Sequence, residues 1–164
     1  MNEKTVLFPG SVDPFTRGHQ ALVDQALRLF GRVVIGIGDN RSKQGLLSVG
    51  ARRRLIETLY RNEPRVSVAV YEGLTGDFAR RIGAAALVRG IRNGVDLAFE
   101  QTLGATNRRL YPELETVLLL PPPEVADISS STVRELYGFG APAGALLPEG
   151  VRLEEYVESE QGER

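Results

Sequence analysis

The chain has 164 residues, and its 20 lysines and arginines against 21 aspartates and glutamates give a formal net charge of −1, which argues against a general nucleic-acid-binding surface. It contains no cysteine, which excludes thiol catalysis, iron–sulfur clusters and cysteine-bound zinc, and a chain of this length can form a core without disulfides. Its longest apolar runs stop at proline, far short of a bilayer span, so we expect a soluble protein of the cytoplasm.

Short apolar runs alternate with amphipathic stretches, a pattern typical of strand–helix–strand units on a parallel sheet. The predicted strands are Thr5–Phe8, Val33–Ile37, Val66–Tyr71, Ala86–Val88 and Thr116–Leu120. Three apolar stripes at helical spacing are expected to face the core: Leu22, Val23, Ala26, Leu27 and Phe30; Leu55, Ile56 and Leu59; Phe99, Leu103 and Leu110. The pattern predicts one Rossmann-like α/β domain over residues 1–164, with a five-stranded parallel sheet, helices on both faces, and a tail from about Glu154 that starts as a short helix and frays.

The loop after the first strand is the first candidate functional segment. Open parallel sheets bind ligands beyond the carboxyl ends of their strands, where the strand order reverses. The loop from Gly10 to His19 runs directly into a helix, and Thr16 is its predicted N-cap. His19 then lies in the first turn, where free backbone N–H groups favour an anion. It is the only histidine, which excludes multi-histidine metal sites. A capping or solvated histidine is the alternative interpretation, and the neighbouring glycines favour the functional one.

Basic residues follow two further strands at the same edge of the predicted sheet. Lys43 lies in a polar loop after the second strand, and it either reaches the crevice or is a solvated cation. Arg89 and Arg92 follow the fourth strand, where their spacing fits a bidentate phosphate clamp. Surface salt bridges are the alternative for this pair.

A run of hydroxyl side chains, Ser129 to Thr132, follows the fifth strand and opens a helix. Such a run offers side-chain and backbone donors to a phosphate. Thr132 and Glu135 also fit a capping box, which would account for two members of the run at most. The chain contains no Walker loop, no complete dinucleotide fingerprint and no serine-hydrolase elbow. The four loops together therefore predict a phosphate site of a different kind.

Two charged clusters fall on predicted helices. Asp96, Glu100 and Asn107 lie within a narrow helical arc beside the apolar stripe, so we expect them at the margin of the core. Arg52–Arg54 are followed by Glu57, which indicates a surface ion-pair cluster.

The motifs resemble those of a known superfamily. Gly10 to His19 resembles the T/HxGH signature of the nucleotidylyltransferases, and Ile128 to Ser131 resembles their second signature, ISSS. Ser42-Lys43, Arg89 to Arg92 and Asn107 to Glu115 extend the match over most of the chain. The chain is therefore similar to the bacterial phosphopantetheine adenylyltransferases. It departs from their pattern in having Ser11 where threonine is common, Val12 in place of an aromatic residue, Gly50-Ala51 in place of an acidic pair, and no aromatic residue in Val125 to Asp127.

The resemblance implies a reaction in coenzyme A biosynthesis, in which 4′-phosphopantetheine attacks the α-phosphorus of ATP directly, giving dephospho-coenzyme A and pyrophosphate. It implies catalytic roles for His19, Ser11 and Lys43. Residues implied to bind the acceptor are Ser11, Lys43, Thr75 and Arg89. Residues implied to bind ATP are Ser11, Val12, His19, Gly90, Ile91, Arg92, Glu100, Val125, Ala126, Asp127, Ile128, Ser129, Ser130 and Ser131.

The resemblance also implies Mg²⁺ carried with ATP instead of a metal site on the protein, a homo-oligomer of six subunits, and coenzyme A as a candidate further ligand. Two alternatives stay open. One is a nucleotidylyltransferase of the same superfamily with a different phosphorylated acceptor. The other is a module that binds nucleotide without catalysis.

Overall fold

In the computed structural model, which describes residues 3–157, five parallel strands form one sheet in the order β3-β2-β1-β4-β5. The strands are β1 (Thr5–Gly10), β2 (Arg32–Gly38), β3 (Val66–Tyr71), β4 (Ala86–Gly90) and β5 (Glu115–Leu119). The α-helices are α1 (Arg17–Leu29), α2 (Val49–Leu59), α3 (Thr75–Arg81), α4 (Gly94–Leu110), α5 (Ser130–Gly138) and α6 (Glu154–Val157). This architecture confirms the predicted Rossmann-like α/β fold.

The predicted strands all form. Strand β3 has the predicted bounds, β1, β2 and β4 are longer than predicted, and β5 lies one residue earlier at both ends. Helix α3 lies outside the predicted stripes, because its seven residues are too few for an apolar pattern to repeat. The tail predicted from Glu154 begins as the short helix α6. The fraying predicted for the end of this tail falls on residues that lie outside the described part of the chain.

Two apolar cores lie on opposite faces of the sheet, because successive side chains along a strand point in opposite directions. Val6 and Phe8 of β1 belong to the core that includes the apolar sides of α1 and α2. Leu7, between them, belongs to the second core with Phe78 of α3 and Tyr111. The sheet is therefore covered on both faces, as predicted.

The apolar stripe of α4 does not face the core, and the expectation that it would is wrong. Phe99 is 61% exposed, Leu103 36% and Leu110 56%, whereas Glu100 is 5% exposed. Helical spacing identifies an apolar face but not what that face packs against. Helix α4 follows β4 and precedes the edge strand β5, and its buried side is occupied by the Glu100 carboxylate.

The strand order reverses at the centre of the sheet. Strand β1 lies between β2 and β4, so the chain first builds outward through β2 and β3 and then returns to β4 on the other side. The carboxyl ends of β1 and β4 form the edge where such sheets bind ligands. Within residues 3–157, no helix combines the length and the apolar character needed to cross a bilayer.

Candidate active site

A cavity of about 580 Å³ opens at the carboxyl ends of β1 and β4. Its size is in the range of small-molecule sites. Three of the four predicted loops meet there, namely those that follow β1, β4 and β5. The predicted site residues that line it are Ser11, Val12, His19, Arg89, Gly90, Arg92, Glu100, Val125, Ile128, Ser129 and Ser130.

A second cavity of about 200 Å³ adjoins the first one. It is lined by Thr75 at the start of α3 and by Asn107 and Tyr111 at the end of α4. Arg89 and Glu100 line both cavities. A guanidinium group and a carboxylate therefore stand at the junction of a larger and a smaller chamber.

His19 is fixed by the capping box that begins α1. Thr16 is the N-cap, as predicted, and its side chain accepts from the His19 backbone N–H. The Thr16 backbone N–H in turn donates to Nδ1 of His19 at 3.0 Å. Because Nδ1 accepts this bond, the proton of the neutral ring lies on Nε2. The ring also stacks on Phe15 with centroids 5.3 Å apart. His19 is thus both a capping residue and a cavity residue.

The pKa of His19 is lowered from 6.5 to about 4, mainly by burial and in smaller part by the charges of Arg92 and Arg89. The imidazole is therefore neutral near pH 7. A neutral ring with its proton on Nε2 donates one hydrogen bond into the cavity without carrying a charge. Such a fixed donor can stabilise a negative charge that develops in the transition state.

We expect the ring of His19 to titrate near pH 4 and not near 6.5, because burial and two neighbouring guanidinium groups disfavour the imidazolium. Imidazole NMR signals report this directly, since the chain has one histidine. Because the folded pKa lies below the unfolded one, the contribution of His19 to stability is complete above pH 6.5 and is lost as the pH falls toward 4. A midpoint near 6.5 would show that the ring is solvated.

The Arg89–Glu100 pair ties β4 to α4. Oε1 of Glu100 accepts from Nε of Arg89 at 2.9 Å and from Nη2 at 2.8 Å. Nη1 of Arg89 donates to the carbonyl of Pro9 at 3.1 Å. The second carboxylate oxygen of Glu100 is buried and has no hydrogen-bond partner among the described residues. Glu100 therefore holds Arg89 at the junction of the cavities, and Arg89 in turn donates the hydrogen bonds that this buried carboxylate accepts.

Arg92 is held by Asp96, which lies in the first turn of α4. Its backbone N–H and its Nε donate to the same oxygen of Asp96 at 3.0 Å and 3.2 Å. Both arginines of the predicted clamp thus form salt bridges, which was the alternative interpretation. Both arginines also line the cavity, and the phosphate clamp stays a prediction.

The hydroxyl run begins α5, but its N-cap is Ser129. The capping box predicted for Thr132 and Glu135 is wrong, because the Ser129 hydroxyl already accepts the Thr132 backbone N–H at 3.2 Å and starts the helix three residues earlier. Ser130 donates to the carbonyl of Pro14 at 2.8 Å and so joins α5 to the first loop. Ser131 accepts from Arg134 at 3.2 Å.

Several predicted site residues lie off the larger cavity. Ile91, Ala126, Asp127 and Ser131 do not line it, although each is adjacent in sequence to a residue that does. Lys43 is exposed, in the loop after β2, and lines neither cavity. Strand β2 lies on the side of β1 away from β4, which places this loop at the edge of the site.

Two residues that hold the first loop were missed at the sequence level. Asp13 is 5% exposed, and its two oxygens accept the N–H groups of Leu46 and Leu47, both at 2.8 Å. Arg52 is 9% exposed and donates to the carbonyl of Ser11 at 2.9 Å, so its assignment to a surface ion-pair cluster is wrong. Arg53 pairs with Glu57 as expected. The sequence signal that could have identified Arg52 is its position as a cation in the first turn of a helix, where the helix dipole opposes a positive charge.

Among residues 3–157, no group of three or more histidine, aspartate or glutamate side chains is arranged to hold a metal ion. The carboxylates nearest the cavity, Asp96 and Glu100, are engaged by Arg92 and Arg89. A resident metal therefore does not fit these residues. A divalent ion that arrives on the phosphates of a nucleotide needs no such cage.

Comparison with known proteins identifies relatives over the whole length. A cytidylyltransferase-like family model matches residues 7–136. The chain is 46% identical over 154 residues to the phosphopantetheine adenylyltransferase of Porphyromonas gingivalis, covering 94% of this chain and all of the relative. It is 41% identical to that of Flavobacterium psychrophilum, covering 92% of this chain and 99% of the relative. A bifunctional NMN adenylyltransferase/ADP ribose pyrophosphatase from Francisella tularensis shares the fold, with a TM-score of 0.72 at 15% identity over 98% of this chain and 50% of that one.

Proposed function

Because the chain belongs to the phosphopantetheine adenylyltransferases within the cytidylyltransferase-like family, we propose that it transfers the adenylyl group of ATP to 4′-phosphopantetheine, giving dephospho-coenzyme A and pyrophosphate. The observation that carries the proposal is the end-to-end similarity to enzymes of this name, 46% over 94% of the chain. Two joined cavities that share Arg89 give it a physical basis, since the reaction has two substrates whose phosphates must meet.

The reaction proceeds by in-line displacement. An oxygen of the acceptor phosphate forms a bond to the α-phosphorus of ATP, and the bond from that phosphorus to the bridging oxygen breaks, so that pyrophosphate leaves with the electron pair. Such a transfer depends on alignment and charge stabilisation more than on proton transfer. The two carboxylates that line the cavity, Asp96 and Glu100, form salt bridges with Arg92 and Arg89, which is consistent with this chemistry.

The cavity residues divide between the two substrates. ATP occupies the larger cavity, where Ser129 and Ser130 at the start of α5 and the neighbouring backbone bind its phosphates. The Nε2–H of His19 donates to a non-bridging oxygen of the α-phosphate as charge develops there. Arg89, at the junction, binds the acceptor phosphate, and the rest of the acceptor extends into the smaller cavity past Thr75.

Lys43 and Ser11 complete the site in this proposal. Ser11 lines the larger cavity, and its hydroxyl hydrogen-bonds the α-phosphate. Lys43 reaches the phosphates from its exposed loop when the substrates are bound. Asp13 fixes the far end of this loop beside the site, because its carboxylate accepts the N–H groups of Leu46 and Leu47.

Mg²⁺ enters with ATP as part of the substrate, coordinated by phosphate oxygens and water. The protein acts as one domain in the cytoplasm and assembles as a homo-hexamer. Phe99, Leu103 and Leu110 on α4 are exposed and also line the two cavities, so this apolar face can be covered by the substrates as well as by a partner subunit.

The acceptor and the chemistry are tested by measuring pyrophosphate release with ATP and a panel of phosphorylated acceptors. We expect turnover with 4′-phosphopantetheine and background rates with nicotinamide mononucleotide, with glycerol phosphate, and with pantetheine, which lacks the attacking phosphate. Replacing ATP by CTP should also abolish turnover. Turnover with a different acceptor alone would reassign the substrate, and nucleotide binding without any product would indicate a non-catalytic module.

A further inference from the structure

Arg52 occupies a position that is unfavourable for a buried cation. It lies in the first turn of α2, where the positive end of the helix dipole opposes it, and that turn contains no acidic residue. Its side chain is 9% exposed. Burial of a charge is costly unless hydrogen bonds replace the lost water. The contacts that Arg52 makes must therefore offset both costs.

All of those contacts are to backbone carbonyls. Nε donates to Leu47 at 3.1 Å and to Ser48 at 3.4 Å, at the start of its own helix. Nη1 reaches across the chain to the carbonyl of Ser11 at 2.9 Å. Within residues 3–157, no carboxylate forms a salt bridge with this guanidinium. Its charge is thus directed at the peptide group that joins Ser11 to Val12.

The two polar groups of that peptide point to different surroundings, the C=O to Arg52 and the N–H to the cavity. The bond is trans, because the cis bond of the described chain is Asp13-Pro14. In a trans peptide the N–H and C=O groups point in opposite directions. The carbonyl points to Arg52, which does not line the cavity, whereas Ser11 and Val12 both do. The Val12 N–H is accordingly directed to the cavity side, and it has no hydrogen-bond partner among the described residues.

The conformation at Val12 is one that a β-branched residue adopts only under constraint. Its φ is 45°, in the left-handed region, and its side chain is 2% exposed. Such a backbone persists where the surroundings fix it. Arg52 fixes the carbonyl on one side of Val12, and on the other side Arg134 donates to the carbonyl of Asp13 at 2.7 Å.

We propose that Arg52 is a positioning residue that holds the Ser11–Val12 peptide so that the Val12 N–H donates to the α-phosphate beside His19. The inference rests on the proposed adenylyl transfer. It assigns the alignment of the first loop to a helix that does not line the cavity. The guanidinium also polarises the peptide by binding its carbonyl, which strengthens the N–H as a donor.

Kinetics of Arg52→Lys and Arg52→Met test the proposal, with Arg53→Met as the matched control on the next position of α2. Lysine keeps the charge but cannot reach three carbonyls at once, and methionine keeps only the apolar stem. We expect kcat to fall by about 10- to 100-fold, more for methionine than for lysine, with a change in the KM for ATP of less than about threefold. The control Arg53→Met should leave kcat and the KM for ATP near the wild-type values, because Arg53 pairs with Glu57 on the surface.

A second measurement observes the peptide itself and needs no variant. Labelling with ¹³C-carbonyl serine and ¹⁵N-valine marks three peptide groups, Ser11–Val12, Ser48–Val49 and Ser67–Val68. On addition of Mg²⁺·ATP without an acceptor, we expect the Val12 amide proton to move downfield while that of Val68, in β3, stays unchanged. The same titration of a folded Arg52 variant should give a smaller shift at Val12.

The outcomes separate this inference from the proposed function. Wild-type kcat retained in Arg52→Met, or a Val12 amide that ATP does not move, would overturn the role of Arg52 even if dephospho-coenzyme A is formed. Equal losses in kcat and in ATP affinity would assign Arg52 to general folding of the site. If the wild type forms no product but ATP moves the Val12 amide in an Arg52-dependent way, the positioning stands and the assigned reaction fails.

Discussion

Replacement of His19 by alanine is expected to lower kcat by about 10²- to 10³-fold, the effect of removing one fixed donor to a developing oxyanion. The KM for ATP should remain nearly unchanged, because the donor acts on charge that grows in the transition state and not on bound ATP. Steady-state kinetics with both substrates measure the two values. Equal losses in turnover and in ATP affinity would reduce His19 to a ligand contact.

The alanine variant also removes the capping box, so its effect on folding needs a control. Nδ1 of His19 accepts the Thr16 backbone N–H, and loss of a cap costs about 1 kcal/mol. His19→Gln supplies the residue type that normally completes a capping box at this position. We expect it to restore the thermal midpoint while kcat stays low. Recovery of kcat in the glutamine variant would show that the cap, and not the imidazole, limits the rate.

Arg89→Met is expected to destabilise the protein by about 3–5 kcal/mol, the usual cost of leaving one partner of a buried pair behind. Oε1 of Glu100 would lose both of its donors, and the other oxygen already has none among the described residues. The carboxylate would then be buried without a hydrogen bond. Urea unfolding measures the change. Arg108→Met is a suitable control, because Arg108 and its partner Glu115 are 71% and 62% exposed.

The double variant Arg89→Met with Glu100→Gln separates folding from binding. A neutral amide is less costly to leave unpaired than a carboxylate, so we expect most of the stability to return. Turnover should stay low and the KM for 4′-phosphopantetheine should stay high, since the guanidinium proposed to hold its phosphate is still absent. A loss below about 1 kcal/mol in the single variant would contradict a desolvated pair. A normal acceptor KM in the double variant would remove Arg89 from the acceptor site.

Local patterns predicted much of this site because they depend on residues close together in sequence. The β-branched and apolar runs identified the five strands, and Thr16 with His19 three residues later placed the imidazole in the first turn of α1. The parallel sheet then required the loops after the strands to gather at one edge, which brought His19, Arg89 and Ser129 to one cavity. The same patterns could not show whether Arg89 and Arg92 were clamps or salt-bridge partners, and the structure shows salt bridges at the cavity wall.

Helix α4 shows that apolar periodicity identifies the faces of a helix but does not predict which face is buried. Its apolar stripe predicted a core-facing side, yet Phe99 is exposed and Glu100 is buried. Spacing defines faces on a helix, but the environment of each face depends on elements that lie elsewhere in the chain. A carboxylate becomes a tolerable buried group only because Arg89, eleven residues away on β4, reaches it.

The sequence by itself determined the five strands, the helices other than α3 and the residues available to the phosphate site, since backbone propensity, capping and apolar periodicity act over a few residues. Tertiary structure alone decided the environment of those residues. It buried Arg52 against the Ser11 carbonyl, 41 positions away, joined Ser130 to Pro14 across 116 positions, and lowered the pKa of His19 to about 4. Desolvation and charge proximity are properties of the packed chain, and no short stretch of sequence contains them.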